Sequence, residues 1–370
     1  MASTTSLRAV GLMSGTSMDG VDIALIESNG ETITAFGPSG YRPYSEAERA
    51  LLRQGLADAR SIVTRSERPG VLTEAERMIT DVHAQAVASF LDERHIARDS
   101  VDVIGFHGQT VLHRPEQRLT VQIGDGAGLT RAAGIPVVYD LRAADVAAGG
   151  EGAPLVPVYH RALARSLSGD GPVCVLNIGG VSNISYIDGE TLIACDTGPG
   201  NALLDDFMLK TTGEAVDRDG ATAARGRADE GWIAQALQLP FFALPPPKSL
   251  DRNAFAALTL PELATADGAA TLTAFTVAAI ASIVGLLPKP PAQWIVVGGG
   301  ANNPTLMRML GERLQPATVR TAASIGWQGD AIEAQAFAFL AIRSLKGLPL
   351  TFPGTTGVPK PLTGGVLAKP

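Results

Sequence analysis

RAVGLMSGTSMDGVDIALIE, residues 8–27, carries two strand-like runs and the turn between them. Arg8–Ser14 and Val21–Glu27 are apolar, and the intervening GTSMDG is built of turn formers, so the stretch predicts a β-hairpin. The same grammar returns in the second half. Pro172–Ile178 is an apolar run that ends in GGVSN, and Ser182–Ile187 leaves that turn as a second strand. No period of about 20–50 residues runs through the chain, so one strand–turn–strand opening is used twice, and a solenoid is excluded.

From the first hairpin outward, a third strand is expected near Thr32–Tyr41. Helices follow over Ser45–Arg60 and Leu72–His95, where apolar residues recur at three- and four-residue steps. Further strands are expected at Val101–Phe106, ending in the polar turn HGQT, and at Leu119–Ile123 and Ile135–Leu141. In the second half Thr191–Cys195 is a third strand, ending in DTGPGN before a helix at Ala202–Lys210. Trp294–Val297 runs into GGGANN before a helix at Pro304–Leu314, and Ala331–Leu345 is the last helix before a Pro/Gly-rich tail. Strands alternating with helices define an α/β architecture.

A length of 370 residues suggests two domains. The glycine-rich stretch Gly149–Gly152 is the expected crossing. Residues 1–147 then form an N-terminal lobe and 148–345 a C-terminal lobe, with the tail 346–370 a candidate to return to the first.

Composition removes several function classes. With 45% apolar residues the chain can bury a core, which a disordered segment cannot. A net charge of −7 and the lack of any Lys/Arg cluster argue against nucleic-acid binding. The two cysteines, Cys174 and Cys195, lie inside apolar runs and read as reduced, buried and structural. The first residues, MASTTSLRAVGLM, hold one basic residue and no apolar segment of signal length, so a cytoplasmic location is expected. Gly268–Pro288 carries no charge, and Phe275–Leu287 (FTVAAIASIVGLL) is strongly apolar. The run is rich in Ala and Thr, lacks aromatic flanks and stands alone, so a helix buried within a globular domain fits better than a membrane span.

Four polar, glycine-bearing turns follow apolar strands: Gly15–Asp22 (GTSMDGVD), Asn177–Asn183 (NIGGVSN), Asp196–Asn201 (DTGPGN) and Gly298–Asn303 (GGGANN). Glycine lets backbone N–H groups turn toward an anion, and Ser and Thr hydroxyls add donors. The last two turns also precede helices, whose N-termini favour phosphate. A P-loop, a GxGxxG dinucleotide turn, an HExxH zinc motif and a GxSxG elbow are all absent; Gly124–Gly128 (GDGAG) breaks the dinucleotide pattern at its third glycine. A nucleotide held between two halves by hairpin turns is the reading that remains, as in sugar kinases and their actin-like relatives.

Eight strings occur in order: GLMSGTSMDGVDIALIE (from Gly11), FHGQTVLHRP (Phe106), TVQIGDG (Thr120), GGEGAPLVP (Gly149), LNIGGVSNIS (Leu176), CDTGPGNALLDDF (Cys195), DRDGATAARG (Asp217) and PPKS (Pro246). Together they resemble the 1,6-anhydro-N-acetylmuramic acid kinases, over nearly the whole chain. The resemblance implies a two-lobed, actin-like ATPase (ribonuclease H-like) fold with a nucleotide cleft between the lobes. It implies ATP and Mg²⁺ as cofactors, a small amino-sugar substrate, and a homodimer. The reaction implied is phosphorylation of O6 while water opens the 1,6-anhydro bridge. Since O6 is an ether oxygen, no proton need be removed from it. One carboxylate should therefore suffice as base, the phosphoryl group replacing the acid of an inverting glycosidase.

By the same resemblance Asp196 is the base; at the ordinary Asp pKa of about 3.9 it is already charged at neutral pH. Asn201 is expected to cap the following helix. Gly15, Thr16, Ser17, Met18, Asp19, Gly20, Val21 and Asp22 form the first phosphate turn; Asp19 is the magnesium partner, with Asp22 either the alternative for that role or a residue that only fixes the hairpin. Asn177, Gly179 and Gly180 form the second, and Gly298, Gly299, Gly300, Ala301 and Asn302 the adenosine turn. His107, Gln109, Arg142, Gly198, Asn201 and Glu333 match positions near the sugar, Arg142 suiting a lactyl carboxylate. His107 also reads as a core histidine, and Asp217 and Asp219 as either a cleft loop or a solvated turn. The chain departs from the family where Leu250, Asp251 and Arg252 follow PPKS and at Gly326–Gly329, both expected to lie far from the base and the phosphate turns. A kinase of another sugar is the alternative enzyme. A sugar-sensing regulator is the non-enzymatic one, disfavoured because no basic helix-turn-helix precedes Arg8.

Overall fold

The first hairpin forms over β1 (Leu7–Met13) and β2 (Gly20–Ser28), antiparallel from Leu7↔Ser28 to Met13↔Asp22. β3 (Ile33–Pro43) adds to β2, while β4 (Val103–Phe106) and β7 (Val137–Tyr139) extend the other side in parallel. Between them in sequence, β5 (Gln109–Arg114) and β6 (Leu119–Ile123) pair as a separate two-stranded sheet. β5 is not expected from its polar HGQT start.

The second hairpin is β8 (Val173–Ile178) with β9 (Val181–Asp188), continued antiparallel by β10 (Thr191–Pro199). β11 (Gln293–Val297) lies parallel to β8. β12 (Thr318–Thr321) lies parallel to β11; four residues, none of them buried, give it little sequence signal. The two sheets run β3-β2-β1-β4-β7 and β10-β9-β8-β11-β12, with β13 (Val366–Ala368) added beyond β7 in the first. Both therefore share one order, 3-2-1-4-5, in which the hairpin and third strand are antiparallel and the last two parallel. This is the ribonuclease H-like order on which actin-like proteins are built.

This computed structural model describes residues 5–250, 255 and 258–370. It divides into a unit of Met1–Ser166 with Asp330–Pro370 and a unit of Leu167–Gly329. The division differs from the expected boundaries at 147 and 345, for two physical reasons. The Gly149–Gly152 loop is folded around the buried Asp145, which accepts from Gly152 N (2.7 Å) and from Thr356 Oγ1 (2.7 Å). It is thus anchored within the first unit. The helix Ile332–Leu345, buried along almost its whole length, packs on β1, β2 and β4. Its seat is a saddle of two paired glycines, Gly11↔Gly105, where a Cβ on either would overlap the helix backbone at Ala334 or Phe337.

Helices in the first unit start and face as their residues require. Ser45 and Glu48 form a reciprocal capping box at the start of Glu46–Asp58. In Leu72–Glu93 the buried positions Ala75, Ile79, Val82, Ala86, Phe90 recur at helical spacing against the sheet. In the second unit Thr265–Ser282 packs against β10 and the helices Ala202–Thr212 and Pro304–Arg313. Among the described residues Thr265–Leu286 alone is long and apolar enough to cross a membrane, yet 67% of its apolar window is buried inside the protein.

Candidate active site

β1 delivers Ser14 to the edge of the first turn. The turn closes with Met18 N donating to Gly15 O (3.2 Å), and Met18 adopts the left-handed conformation, φ +56°. Met18 holds that unfavourable conformation because the turn is pinned from beneath. Ser14 Oγ donates to Gln109 Oε1 (2.6 Å) and accepts from Tyr44 OH (3.0 Å), while Gln109 Nε2 donates to Gly15 O (3.1 Å). Thr16, Ser17 and Asp19 stay exposed, and Gly20 and Val21 are buried in β2. A Cβ on Gly15 would make only ordinary contacts, the nearest with Ser17 Oγ at 3.7 Å, so crowding does not hold this position to glycine.

Gln109 and His107 are both buried, and both use their polar atoms inside the protein. His107 Nδ1 lies 3.1 Å from Ser14 O and can only donate to it, which leaves Nε2 as acceptor for Arg142 Nε (3.2 Å) and its terminal nitrogen (3.1 Å). Burial, then the Arg142 charge, push the imidazole down to about 3, so it stays neutral. Both nitrogens are committed, so His107 positions Arg142 and is not a free sugar ligand. Arg142 also donates to Gly152 O (2.8 Å). Burial lowers its guanidinium to about 10 against the pull of Glu333 and Asp145, leaving it cationic at neutral pH.

Four carboxylates gather near the start of β2. Asp22 is half-buried and raised to about 6, by burial first and then by Glu333, Asp330 and Asp19. Asp330 is a member of this group that sequence reading missed. Glu333, on the first turn of Ile332–Leu345, is likewise raised by burial, with Arg142 opposing. Among the described residues no three His, Cys, Asp or Glu side chains close into an ion cage. The arrangement fits Mg²⁺, which keeps waters and is commonly bound by one or two carboxylates together with substrate phosphates.

In the second unit three turns meet around Ile178. Asn201 N donates to Gly179 O (2.7 Å) and Gly200 N to Gly180 O (3.0 Å), joining the second and third turns. Asn201 is at the expected cap position, but its amide donates to Ile178 O (3.2 Å) and does not cap the helix. Gly298 (φ +79°) and Gly300 are glycine for closeness: Cβ atoms there would strike Asn177 Oδ1 and Ile178. The following Asn303 caps Pro304–Arg313 through Leu306 N (3.0 Å). Gly299, Ala301 and Asn302 form the tight turn between. At Gly179 and Gly180 an added Cβ would make only ordinary contacts, no nearer than 3.7 Å, so crowding does not hold these two positions to glycine.

Asp196 sits where β10 bulges against β9, between Asp196 and Gly198. Ser182 Oγ braces the bulge by bonding Thr197 Oγ1 (2.7 Å) and Gly198 O (3.1 Å). Gly198 (φ +149°) packs a backbone against Ala279 and Phe242. The Asp196 carboxylate accepts from Leu250 N (2.6 Å), and Asp196 N donates to Lys248 O (2.9 Å). Burial raises the carboxyl to about 6, against the Leu250 hydrogen bond and the Lys248 charge. This corrects the expected ordinary value near 3.9, and a proton affinity closer to pH 7 makes a better base. It also corrects the view that the stretch after PPKS is remote: Leu250 touches Asp196, while Asp251 and Arg252 lie outside the described residues. The Gly326–Gly329 departure directly precedes Asp330, which bears on Asp22. Asp217 is buried and caps a turn through Thr222 N (2.8 Å) and Ala223 N (2.9 Å), so it is neither cleft acid nor solvated.

Two sheets of one order, each opening with a hairpin closed by a glycine-bearing turn, define the actin-like class of α/β folds. A family model described as anhydro-N-acetylmuramic acid kinase matches residues 7–369. The chain is 67% identical over 365 residues to the anhydro-N-acetylmuramic acid kinase of Rhodopseudomonas palustris (strain BisB18), covering 98% of this chain and 100% of that one. It is 66% identical, with the same coverage, to the enzyme of that name from Bradyrhizobium diazoefficiens. A solved ROK family glucokinase from Streptomyces griseus, in complex with glucose and AMPPNP, is similar at 15% identity and TM-score 0.42, covering 90% of this chain and 99% of that one. The chain belongs to the anhydro-N-acetylmuramic acid kinase family.

Proposed function

We propose that this chain uses ATP to open the 1,6-anhydro bridge of 1,6-anhydro-N-acetylmuramic acid with water and to phosphorylate O6, giving N-acetylmuramic acid 6-phosphate and ADP in peptidoglycan recycling. The observation that carries the chemistry is Asp196, a carboxylate held at a β-bulge on the strand whose end bonds the Gly179–Gly180 turn through Gly200 and Asn201, with its proton affinity raised toward neutrality. Asp196 takes a proton from water as the water oxygen bonds to C1. The C1–O6 bond breaks, O6 bonds to the γ-phosphorus, and the bond from that phosphorus to ADP breaks. No carboxylic acid is needed, because the phosphoryl group receives the O6 electrons.

By the family resemblance, the turns at Gly15–Ser17 and at Asn177, Gly179 and Gly180 take ATP phosphates through backbone N–H groups and the Thr16 and Ser17 hydroxyls. The flat turn Gly298–Asn302 receives the adenosine. Asp22 and Asp19 are the residues that would hold Mg²⁺, whose charge neutralises the phosphates. Arg142, its fork fixed by His107 and Gly152 O, suits the lactyl carboxylate, and the family resemblance assigns Glu333 in the first unit, and Gly198 and Asn201 in the second, to the sugar. Gln109 acts from behind, by holding Gly15. The proposal extends to a cytoplasmic homodimer, in keeping with the family resemblance.

Mass spectrometry of a reaction in ¹⁸O-water with Mg·ATP and the anhydro-sugar tests this reading. One ¹⁸O at C1 of a phosphorylated product, read before the anomeric hydroxyl exchanges, is expected. A phosphorylated product with its bridge intact would remove the water-activating base, and no product would remove the substrate. Arg142→Ala should raise KM for the sugar by roughly 10- to 100-fold, for a charge-assisted hydrogen bond of ~1.5–3 kcal/mol, with a smaller change in kcat. Arg142→Lys, which keeps the charge and loses the fork, should recover only part; unchanged KM in both variants would take Arg142 out of the sugar site.

A further inference from the structure

Two acceptors direct the Arg142 side chain. His107 Nε2 takes its Nε–H and one terminal N–H, and Gly152 O takes a third. Two of the five guanidinium N–H donors are left for a ligand, and the place of the Gly152 carbonyl decides which two. That carbonyl belongs to residues 148–156, a stretch with no helix or strand of its own. A guanidinium held by such a loop is only as well placed as the loop.

The loop is held by the carboxylate of Asp145, 2% exposed, on the short helix Ala143–Ala147. Oδ1 accepts from Gly152 N (2.7 Å), and a Cβ on Gly150 would overlap the same carboxylate. Gly152 has φ +68°, a conformation glycine adopts without strain, and a Cβ there would overlap Val146. Oδ2 accepts from Thr356 Oγ1 (2.7 Å), a fully buried side chain 211 residues further along the chain. Thr356 O accepts in turn from Glu151 N (2.7 Å), the residue before Gly152. The segment Pro353–Thr356 therefore grips the loop twice, once through the carboxylate and once through the backbone. Burying a carboxylate is unfavourable unless it is hydrogen-bonded and paired, and Asp145 meets both needs: its charge also acts on Arg142 and favours the cation there.

We propose that Asp145 and Thr356 are positioning residues for sugar binding: they fix the Gly152 carbonyl, and through it the Arg142 fork. The inference rests on the assignment of Arg142 to the sugar carboxylate. Thr356→Val removes the hydroxyl at nearly constant volume and takes that donor from Asp145. KM for the anhydro-sugar should rise roughly 3- to 10-fold, the size of one ordinary hydrogen bond, with kcat and KM for ATP within about twofold. Thr356→Ser, which restores the hydroxyl, should return KM to within about twofold of the parent. In an Arg142→Ala background Thr356→Val should add nothing, because its effect passes through that side chain. If the valine variant does not fold, Thr356→Ala makes the same comparison. A lowered melting temperature with KM unmoved would reduce Thr356 to a structural tether. A further rise in KM in the Arg142→Ala background would mean that the effect bypasses Arg142. Either result overturns the proposal and leaves Arg142 in the sugar site, whereas an unchanged KM in Arg142→Ala alone would remove that assignment and the proposal with it.

Discussion

Asp196→Asn is expected to fold, to bind ATP, and to lose turnover by about 10³-fold or more. The substitution is nearly isosteric, and the amide oxygen can still accept from Leu250 N, so the bulge at Asp196–Gly198 should persist. Its effect on stability has a definite sign. A carboxyl raised in the fold binds its proton more tightly there than in the unfolded chain, so the ionised form is the one the fold disfavours, from about pH 4 upward. Removing that charge should leave the melting temperature at pH 7 no lower than the parent's. In the parent, only the carboxylate can accept a proton from water. kcat/KM should therefore fall about tenfold per pH unit below about 6, reporting the raised value and not one near 4. Near-normal turnover in the variant, at an unchanged melting temperature, would remove Asp196 from the mechanism. A parent limb near 4 would keep the residue and discard its tuning.

Why the tuning could not be read from the chain is instructive. Asp196 and its turn are local in sequence: a strand ending in DTGPGN announces itself through glycine and turn residues. Burial, which raises its proton affinity, is a product of tertiary packing, and the groups that oppose it, the Leu250 amide and Lys248, lie some fifty residues later, past a helix and a proline-rich stretch. Both hairpins, legible through their turn formers, form as expected, while β5 and β12 were missed, one beginning in a polar turn and the other short and without a buried residue. Asp22 follows the same rule. Its place on β2 is local, but its crowding by Asp330 and Glu333 is brought about by a helix that returns from the far end of the chain. Gly149–Gly152 misled for a related reason. Consecutive glycines read as a linker, whereas here they let the backbone close on the buried Asp145. Histidine 107 shows the limit for single residues: the type suggests a ligand, and only its two hydrogen bonds reveal a support.

The helix that carries Glu333 depends on a seat with no side chains, and that dependence sets the second large effect. Gly11 and Gly105 are paired neighbours on β1 and β4, and a Cβ on Gly11 would overlap the Ala334 carbonyl oxygen and crowd Ala338 N, 2.5 Å away. These are backbone atoms of a buried helix, so no side chain can swing aside. The helix must lift by ~1 Å or more to regain ordinary carbon contact distances of ~3.5 Å. Overpacking of this kind costs about 1–3 kcal/mol and occasionally more. Gly11→Ala should sit at the upper end, lowering the melting temperature by roughly 6–12 °C at about 2–4 °C per kcal/mol. Gly311→Ala supplies the contrast, since an added Cβ there meets nothing within 4 Å in the helix Pro304–Arg313. That change should be neutral or stabilising by up to ~1 kcal/mol, the ordinary gain of alanine over glycine in a helix. Lifting the helix also moves Glu333 relative to Arg142 and Asp22, so folded Gly11→Ala protein should show an altered KM for the sugar, which Gly311→Ala should not. A Gly11→Ala melting temperature within ~2 °C of the parent, less than about 1 kcal/mol, would mean that the glycine saddle does not hold the helix in place.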